Sequence, residues 1–419
     1  MKTAALILFI LMYVGMISFS KYRPHIAAGT AILFLILGVE PLDHVLGSVN
    51  WNVLMMLAGT MGTVALFIES RMPNRMADKL LTMTPNVMWA AVIMSLFSGF
   101  VSAFMDNVAT VLMIAPVGLA VASRLGISPI PLLICISVSS NLQGAATLVG
   151  DTTSIMLGGY ANMSFTDFIF MNGKFSIFWA VELGALATVP FVMWIFRKNR
   201  EKIQGITLTE CQDFFPTYLL IANILLLIGA SFIQDKPEIT NGLICMACCV
   251  VGTVRHVAKG KGFRTILDGI DLGTLLLLTG LFIVIDGISQ IGIIQDISDL
   301  FVRYGGSSKF LMYTLITFGS VIFSAFIDNI PYVATMLPIV QSAALSMGWD
   351  PTVLYFGLLC GATLGGNLTP VGASANIVTI GILRKGGYQV RNRDFLSIGI
   401  PFTLLAVVTG YVFCWLVWA

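Results

Sequence analysis

Apolar residues in this chain come in long unbroken runs rather than at helical or strand spacing. A helix needs about 20 consecutive apolar residues to cross a bilayer. Runs of that order fall in two similar series, 3–20, 24–39, 50–69, 86–123, 130–161 and 173–196, then 216–233, 239–254, 271–290, 308–345, 352–383 and 396–418. Each series contains one run too long for a single crossing and broken near its middle by an acid-amide pair, Asp106-Asn107 in the first and Asp328-Asn329 in the second. The most polar stretch, Arg197 to Asp213, separates the series. The first run reads as a retained helix and not a cleaved leader, because no small-x-small site follows it and Lys21 comes at once.

If each broken run enters and leaves on one side, each half crosses five times and every loop gains a side. One side then collects 18 of the 23 Lys and Arg residues and the other 5. Basic loops stay cytoplasmic. The excess therefore predicts that side to be inside and both termini outside, in an inner or plasma membrane. Because five is odd, the second half lies upside down relative to the first. The expected fold class is an all-α integral membrane protein of two inverted-topology repeats, each with five crossings, a re-entrant helical hairpin and a discontinuous helix. Repeat 1 is 1–200, with scaffold helices 3–69, hairpin 86–123, broken helix 130–161 and helix 173–196. A cytoplasmic connector, 201–215, follows. Repeat 2 is 216–419, with scaffold helices 216–290, hairpin 308–345, broken helix 352–383 and helix 396–418.

Composition excludes the alternatives. Of 419 residues, 57% are hydrophobic and 11% charged, and mean hydropathy is +0.91. An ordinary soluble domain carries about 25% charged residues. This chain cannot cover a water-facing surface, so a soluble enzyme, a nucleic-acid binder and a disordered module are set aside, and the lipid bilayer is the expected surrounding. A net charge of +2 gives no argument for a polyanionic partner. The seven cysteines lack ligand spacing and read as small buried apolar residues. The histidines at 25, 44 and 256 are scattered near run ends. No cofactor is implied beyond a bound Na+.

The two halves align without gaps at an offset of 222 residues. Residues 98–119 and 320–341 share eight identities, and 141–155 and 363–377 share six. Inverted repeats with matched interrupted helices mark a secondary transporter, with the substrate between the interruptions near the midplane. The second interruptions, Asn141 to Asp151 and Gly361 to Gly372, hold too much Gly, Asn, Thr and Pro for a continuous helix. Unwound backbone at membrane depth survives only when packed in protein or lining a wet cavity. Arms of about 19 residues at 1.5 Å each could also cross fully, which would leave Asp106 in an ordinary loop; recurrence of Ser-Ala-Phe before both pairs favours the re-entrant reading.

The candidate substrate or ion site is Asp106, Asn107, Asp328, Asn329, Asn141, Gly144, Thr147, Gly150, Asp151, Gly366, Asn367, Thr369, Gly372 and Asn376. An ionisable group inside the membrane is costly and marks a pathway; Asp106 and Asp328 are therefore read as coupling carboxylates, with helix capping as a compatible second role. Asn107 and Asn329 would add hard oxygen ligands, making a Na+ site with the two aspartates conceivable. Asp151, whose counterpart is Ala373, is read as a third carboxylate or as a cap. The glycines are read first as helix breakers. Glu182 and Asp286 read as internally hydrogen-bonded. No basic residue occurs in the four interruptions, which argues against an Arg clamp.

With SAFMDNVATVLMIAP, GAATLVGDTTSIM, SAFIDNIPYVATMLP and GATLGGNLTPVGASANIV, the chain resembles the ion transporter superfamily, in the branch of arsenite-permease-like proteins, sodium/proton antiporters and P-protein-like chains with a citrate-transporter-like domain. The resemblance implies inverted repeats with re-entrant hairpins, a homodimer, and elevator-like movement of a transport domain against a scaffold. Dicarboxylate members carry Ser-Asn-Thr at the hairpin tips; this chain carries Asp106-Asn107-Val108 and Asp328-Asn329-Ile330.

Two aspartates facing one cavity repel an anion unless they are protonated or paired with a cation. The leading expectation is a transporter, coupled to H+ or Na+, of a small anionic or oxyanion-type solute, arsenite-like or carboxylate. The alternative is a Na+/H+ antiporter. A channel would need a continuous pore, and no Ser/His/Asp arrangement, HExxH motif or phosphate-cradling loop supports an enzyme.

Overall fold

The computed structural model describes residues 1–124, 126–201, 208–305 and 308–419. The first half runs α1 (Lys2–Ser18), α2 (Arg23–Ile36), α3 (Val45–Ser48), α4 (Trp51–Glu69), α5 (Met72–Thr82), α6 (Val87–Ser102), α7 (Asn107–Arg124), α8 (Pro129–Gly144), α9 (Thr152–Tyr160) and α10 (Ile177–Ile195). The second runs α11 (Phe215–Ser231), α12 (Thr240–Ala258), α13 (Arg264–Gly269), α14 (Leu272–Gln290), α15 (Ile293–Gly305), α16 (Lys309–Ser324), α17 (Asn329–Ser346), α18 (Thr352–Gly365), α19 (Ser374–Lys385) and α20 (Asn392–Trp418). A two-residue-per-strand hairpin, β1 (Phe170–Met171) and β2 (Lys174–Phe175), turns at Asn172-Gly173, both with positive φ.

Both broken runs are pairs of helices, and the 222-residue offset carries α6 onto α16 and α7 onto α17 residue for residue at both ends. It also carries the first residue of α9 onto the first of α19. Packing follows the same correspondence: α4 lies on α12 as α14 lies on α2, and α6 and α7 lie on α8 as α16 and α17 lie on α18. Starts are set locally by capping side chains. Asn50 accepts from the Val53 amide, Asn86 from Trp89, Asp271 from Thr274 and Ser308 from Leu311. Each satisfies a donor that the first helical turn leaves unpaired.

Among the described residues five helices, α4, α10, α12, α14 and α20, are at least 19 residues long and apolar enough to cross a membrane. Chain reversal between α1 and α2 bends the path by 119°. Two helices form the centre: every residue of α18 is buried, as is α8 from Leu132 to Gly144. A helix apolar all round belongs in such a position. Two elements differ from the expectation drawn from apolar runs. Helices α5 and α15 each mix charged and apolar residues along one amphipathic turn pattern, so neither makes a run.

Candidate functional site

The two acid-amide pairs sit at equivalent tips. Residues 103–106 link α6 to α7 and 325–328 link α16 to α17. At the first tip Asp106 Oδ2 accepts from the Ala109 amide at 3.0 Å, and at the second Asp328 Oδ1 accepts from the Ile330 amide at 3.3 Å. Both aspartates therefore cap the returning helix. Each tip then rests on an unwound segment. Residues 145–151 interrupt α8 and α9, and 366–373 interrupt α18 and α19.

The contacts between tip and segment repeat at the same offset. The Thr147 hydroxyl donates to the Ala103 carbonyl, and the Thr369 hydroxyl to the Ala325 carbonyl. A Cβ on Gly150 would lie 2.6 Å from Gly144 O and 2.9 Å from Ala103 O; on Gly372 it would lie 2.7 Å from Gly366 O and 2.9 Å from Ala325 O. Only glycine lets backbone approach backbone so closely. These two glycines thus seat the tips, a more specific role than breaking a helix. The Ser154 hydroxyl donates to Gly144 O at 3.1 Å, as the Asn376 amide does to Gly366 O at 3.0 Å.

Buried amides join the halves. Asn107 Nδ2 donates to Asn141 Oδ1 at 2.7 Å, and Asn141 Nδ2 to Asn367 Oδ1 at 2.8 Å. Asn367 Nδ2 donates to Val138 O at 2.9 Å, and the Ser137 hydroxyl to Asn376 Oδ1 at 2.7 Å. On the other flank Asp151 caps α9 through Thr152 N at 2.8 Å, takes the Thr153 hydroxyl at 3.0 Å, and receives Asn329 Nδ2 at 3.3 Å. Asp151 is therefore both the cap and a group facing the second tip.

A cavity of about 350 Å³ lies where the tips meet α4. Asp106, Asn107, Gly150, Asp151, Asp328 and Asn329 line it, opposite Leu57, Thr60, Met61 and Val64. Asp268, Asp271 and Thr274 edge it, at the end of the molecule that also holds Lys261 and Arg264. Among the described residues five aspartates and no Lys or Arg belong to its lining, though Arg264 reaches Asp268 from outside the lining. Such a wall attracts cations and repels anions until its charge is neutralised. Asn107 and Asn329 commit their amide nitrogens to Asn141 and Asp151, so oxygen is what each amide has to offer a hard cation. The donor set fits Na+ or a proton.

Six of the fourteen residues picked from sequence thus meet at the cavity. The other eight, Asn141, Gly144, Thr147, Gly366, Asn367, Thr369, Gly372 and Asn376, do not line it; they build the packed layer behind the tips. Sequence reasoning missed the α4 face and the edge aspartates, which carry no motif. It also missed the basic residue at the second tip, because basic residues were sought only within the interruptions as a clamp for a carboxylate solute. Arg23 Nη1 donates to Asp328 Oδ2 at 2.6 Å, with side chains only 14% and 10% exposed. The arginine arrives from the start of α2, 305 residues away, so scanning the interruptions alone could not find it. Asp286 is internally bonded as expected, to Ser48 at 2.9 Å and Gln290 at 2.9 Å, beside buried Glu40. For Glu182 no hydrogen bond is found among the described residues.

Residues 6–358 match the citrate transporter family. The chain belongs to that family. Relatives align over most of this chain. An uncharacterized transporter of Mycobacterium tuberculosis is 29% identical over 99% of each chain. A 46 kDa membrane protein of Mycobacterium leprae is 34% identical over 75% of this chain and 74% of that one. The human P protein is 25% identical over 90% of this chain and 54% of its own length. Among solved structures, the YdaH transporter of Alcanivorax borkumensis superposes with a TM-score of 0.62 at 12% identity, covering 88% of this chain and 86% of that one. MtrF of Neisseria gonorrhoeae superposes at 0.57 and 14% identity, covering 90% and 84%. The fold is that of multi-pass membrane transporters, and the citrate transporter family makes this chain a transport protein.

Proposed function

We propose that the protein is an ion-coupled secondary active transporter in which H+ or Na+ neutralises Asp106, Asp151 and Asp328, and a small anionic or oxyanion-type solute enters only the neutralised cavity. One observation supports this reading above the others: both tips, from separate halves of the chain, line a single cavity with five aspartates, of which Asp106 and Asp151 have no basic partner among the described residues. The family's name makes a small carboxylate the first solute to test, with arsenite-like oxyanions next. Helices α1–α4 and α11–α14 would form the scaffold, and the two hairpins with their broken helices the moving body, in a homodimer working by elevator-type displacement. Repeats of opposite orientation follow from the five-crossing count. The charge count supports a cytoplasmic side for the end of the molecule where the cavity lies, and on that reading this conformation is inward-open with both termini outside. The same acid lining favours a second reading, a Na+/H+ antiporter in which cations are the only cargo.

Purified protein in vesicles with imposed Na+ or pH gradients separates the two. The first reading expects gradient-dependent flux of at least one member of a citrate, dicarboxylate and arsenite panel. Sodium-driven proton movement with no solute flux would replace it with the second. Neither kind of flux would defeat both.

A further inference from the structure

We propose that Arg23 is an internal counter-cation for Asp328, a guanidinium held by α2 that occupies the second tip and must be displaced before that tip takes a transported cation. The inference rests on the transport reading above and divides its site into two unequal halves. Arg23 places Nη1 2.6 Å from Asp328 Oδ2 and Nε 3.2 Å from Met16 O. It is thereby anchored to the α1–α2 reversal while reaching across to the hairpin. Both charges are largely withdrawn from water, where losing one partner leaves the other uncompensated. Guanidinium stays protonated at any working pH. The pair therefore opens only by displacement, through movement of the hairpin or competition by another cation.

A second tie supports the grip. Tyr13 Oη donates to Pro331 O at 2.7 Å and meets the Thr335 hydroxyl, so α1 and α2 hold α17 at two points close to its start. Among the described residues the first tip has no counterpart. The positions 222 residues after Tyr13 and Arg23 are Asp235 and Cys245, and among the described residues no Lys or Arg pairs with Asp106 or Asp151. The coupling cation would thus load at Asp106 and Asp151 first, and its binding at Asp328 would release α2 from the hairpin.

The test compares wild type with R23Q and R23K in vesicles, measuring the half-saturating concentration of the coupling ion for gradient-driven flux, together with hydrogen exchange across residues 325–332. R23Q is expected to lower the half-saturating concentration by about 5-fold or more and to speed exchange at the second tip, with R23K near wild type on both. A tie that is merely structural would reduce flux and leave half-saturation unmoved, and that result overturns the proposal, as does an R23Q variant unchanged on both readouts. Absence of any gradient-driven flux in wild type overturns the transport reading itself, and this inference with it; wild-type flux with an unmoved R23Q overturns the inference alone.

Discussion

Asn141 shows how single side chains hold this site. It accepts from Asn107 at the first tip and donates to Asn367 in the second half, all three buried. Removing it strands two buried polar groups, each at about 1–3 kcal/mol. The Asn141→Ala variant is expected to show a lower thermal midpoint in detergent than a change at an exposed position away from the cavity such as Leu186→Ala. Gly150 and Gly372 make a second prediction. An added methyl meets backbone oxygens that no rotamer change can move, so Gly150→Ala and Gly372→Ala should each destabilise by about 1–3 kcal/mol as overpacked sites do, read as thermal midpoints of purified variants. Wild-type midpoints in both would show that the tips do not seat on the unwound segments as described. The glycines stood out in sequence as breakers; their seating role did not, because it depends on Ala103 and Ala325 carbonyls more than 40 residues away.

At the scale of elements, the long helices and the break in each of the two longest runs were readable because their signal is local: apolar length, a central acid-amide pair, and a cap. The amphipathic α5 and α15 were not, since a search for unbroken apolar runs passes over mixed turns. Nor was the β1–β2 hairpin, whose Asn172-Gly173 turn is the one short-range cue to it. The Arg23 to Asp328 pair left no trace either, having no local pattern. The connector between halves provides a pH prediction. Lys202 and the rest of 202–207 lie outside the described residues, but Asp213 ends the connector at the foot of α12. Partial burial would raise its carboxyl, yet hydrogen bonds from Arg255 at 2.8 Å and Lys259 at 2.8 Å hold it well below the usual carboxylate range. A depressed folded value means that the pairing stabilises above the ordinary carboxylate range and is lost as pH falls through the folded value. The contribution is about 1 kcal/mol or less for so exposed a group. Wild type should exceed Asp213→Asn in thermal midpoint at pH 7, and the gap should close in strong acid; a gap that persists there would remove the ion pair as its cause.

For the whole molecule, an offset found in two sequence windows extends through helix boundaries, packing partners and the hydrogen bonds that seat each tip. That much was legible because duplicated halves keep the residues their shared geometry needs. What breaks the correspondence was less so: Asp151 against Ala373, and Arg23 against Cys245, give the halves different chemistry around matching frames. The central claim is that both tips form one cation-coupled cavity. Its most direct test is ion-gradient-driven flux by wild type, Asp106→Asn and Asp328→Asn in vesicles, with folding checked by thermal midpoint. Each neutralised variant should lose coupled flux, Asp106→Asn with a thermal midpoint near wild type and Asp328→Asn with a lower one because Arg23 loses its partner. Wild-type coupled flux in both would contradict the account.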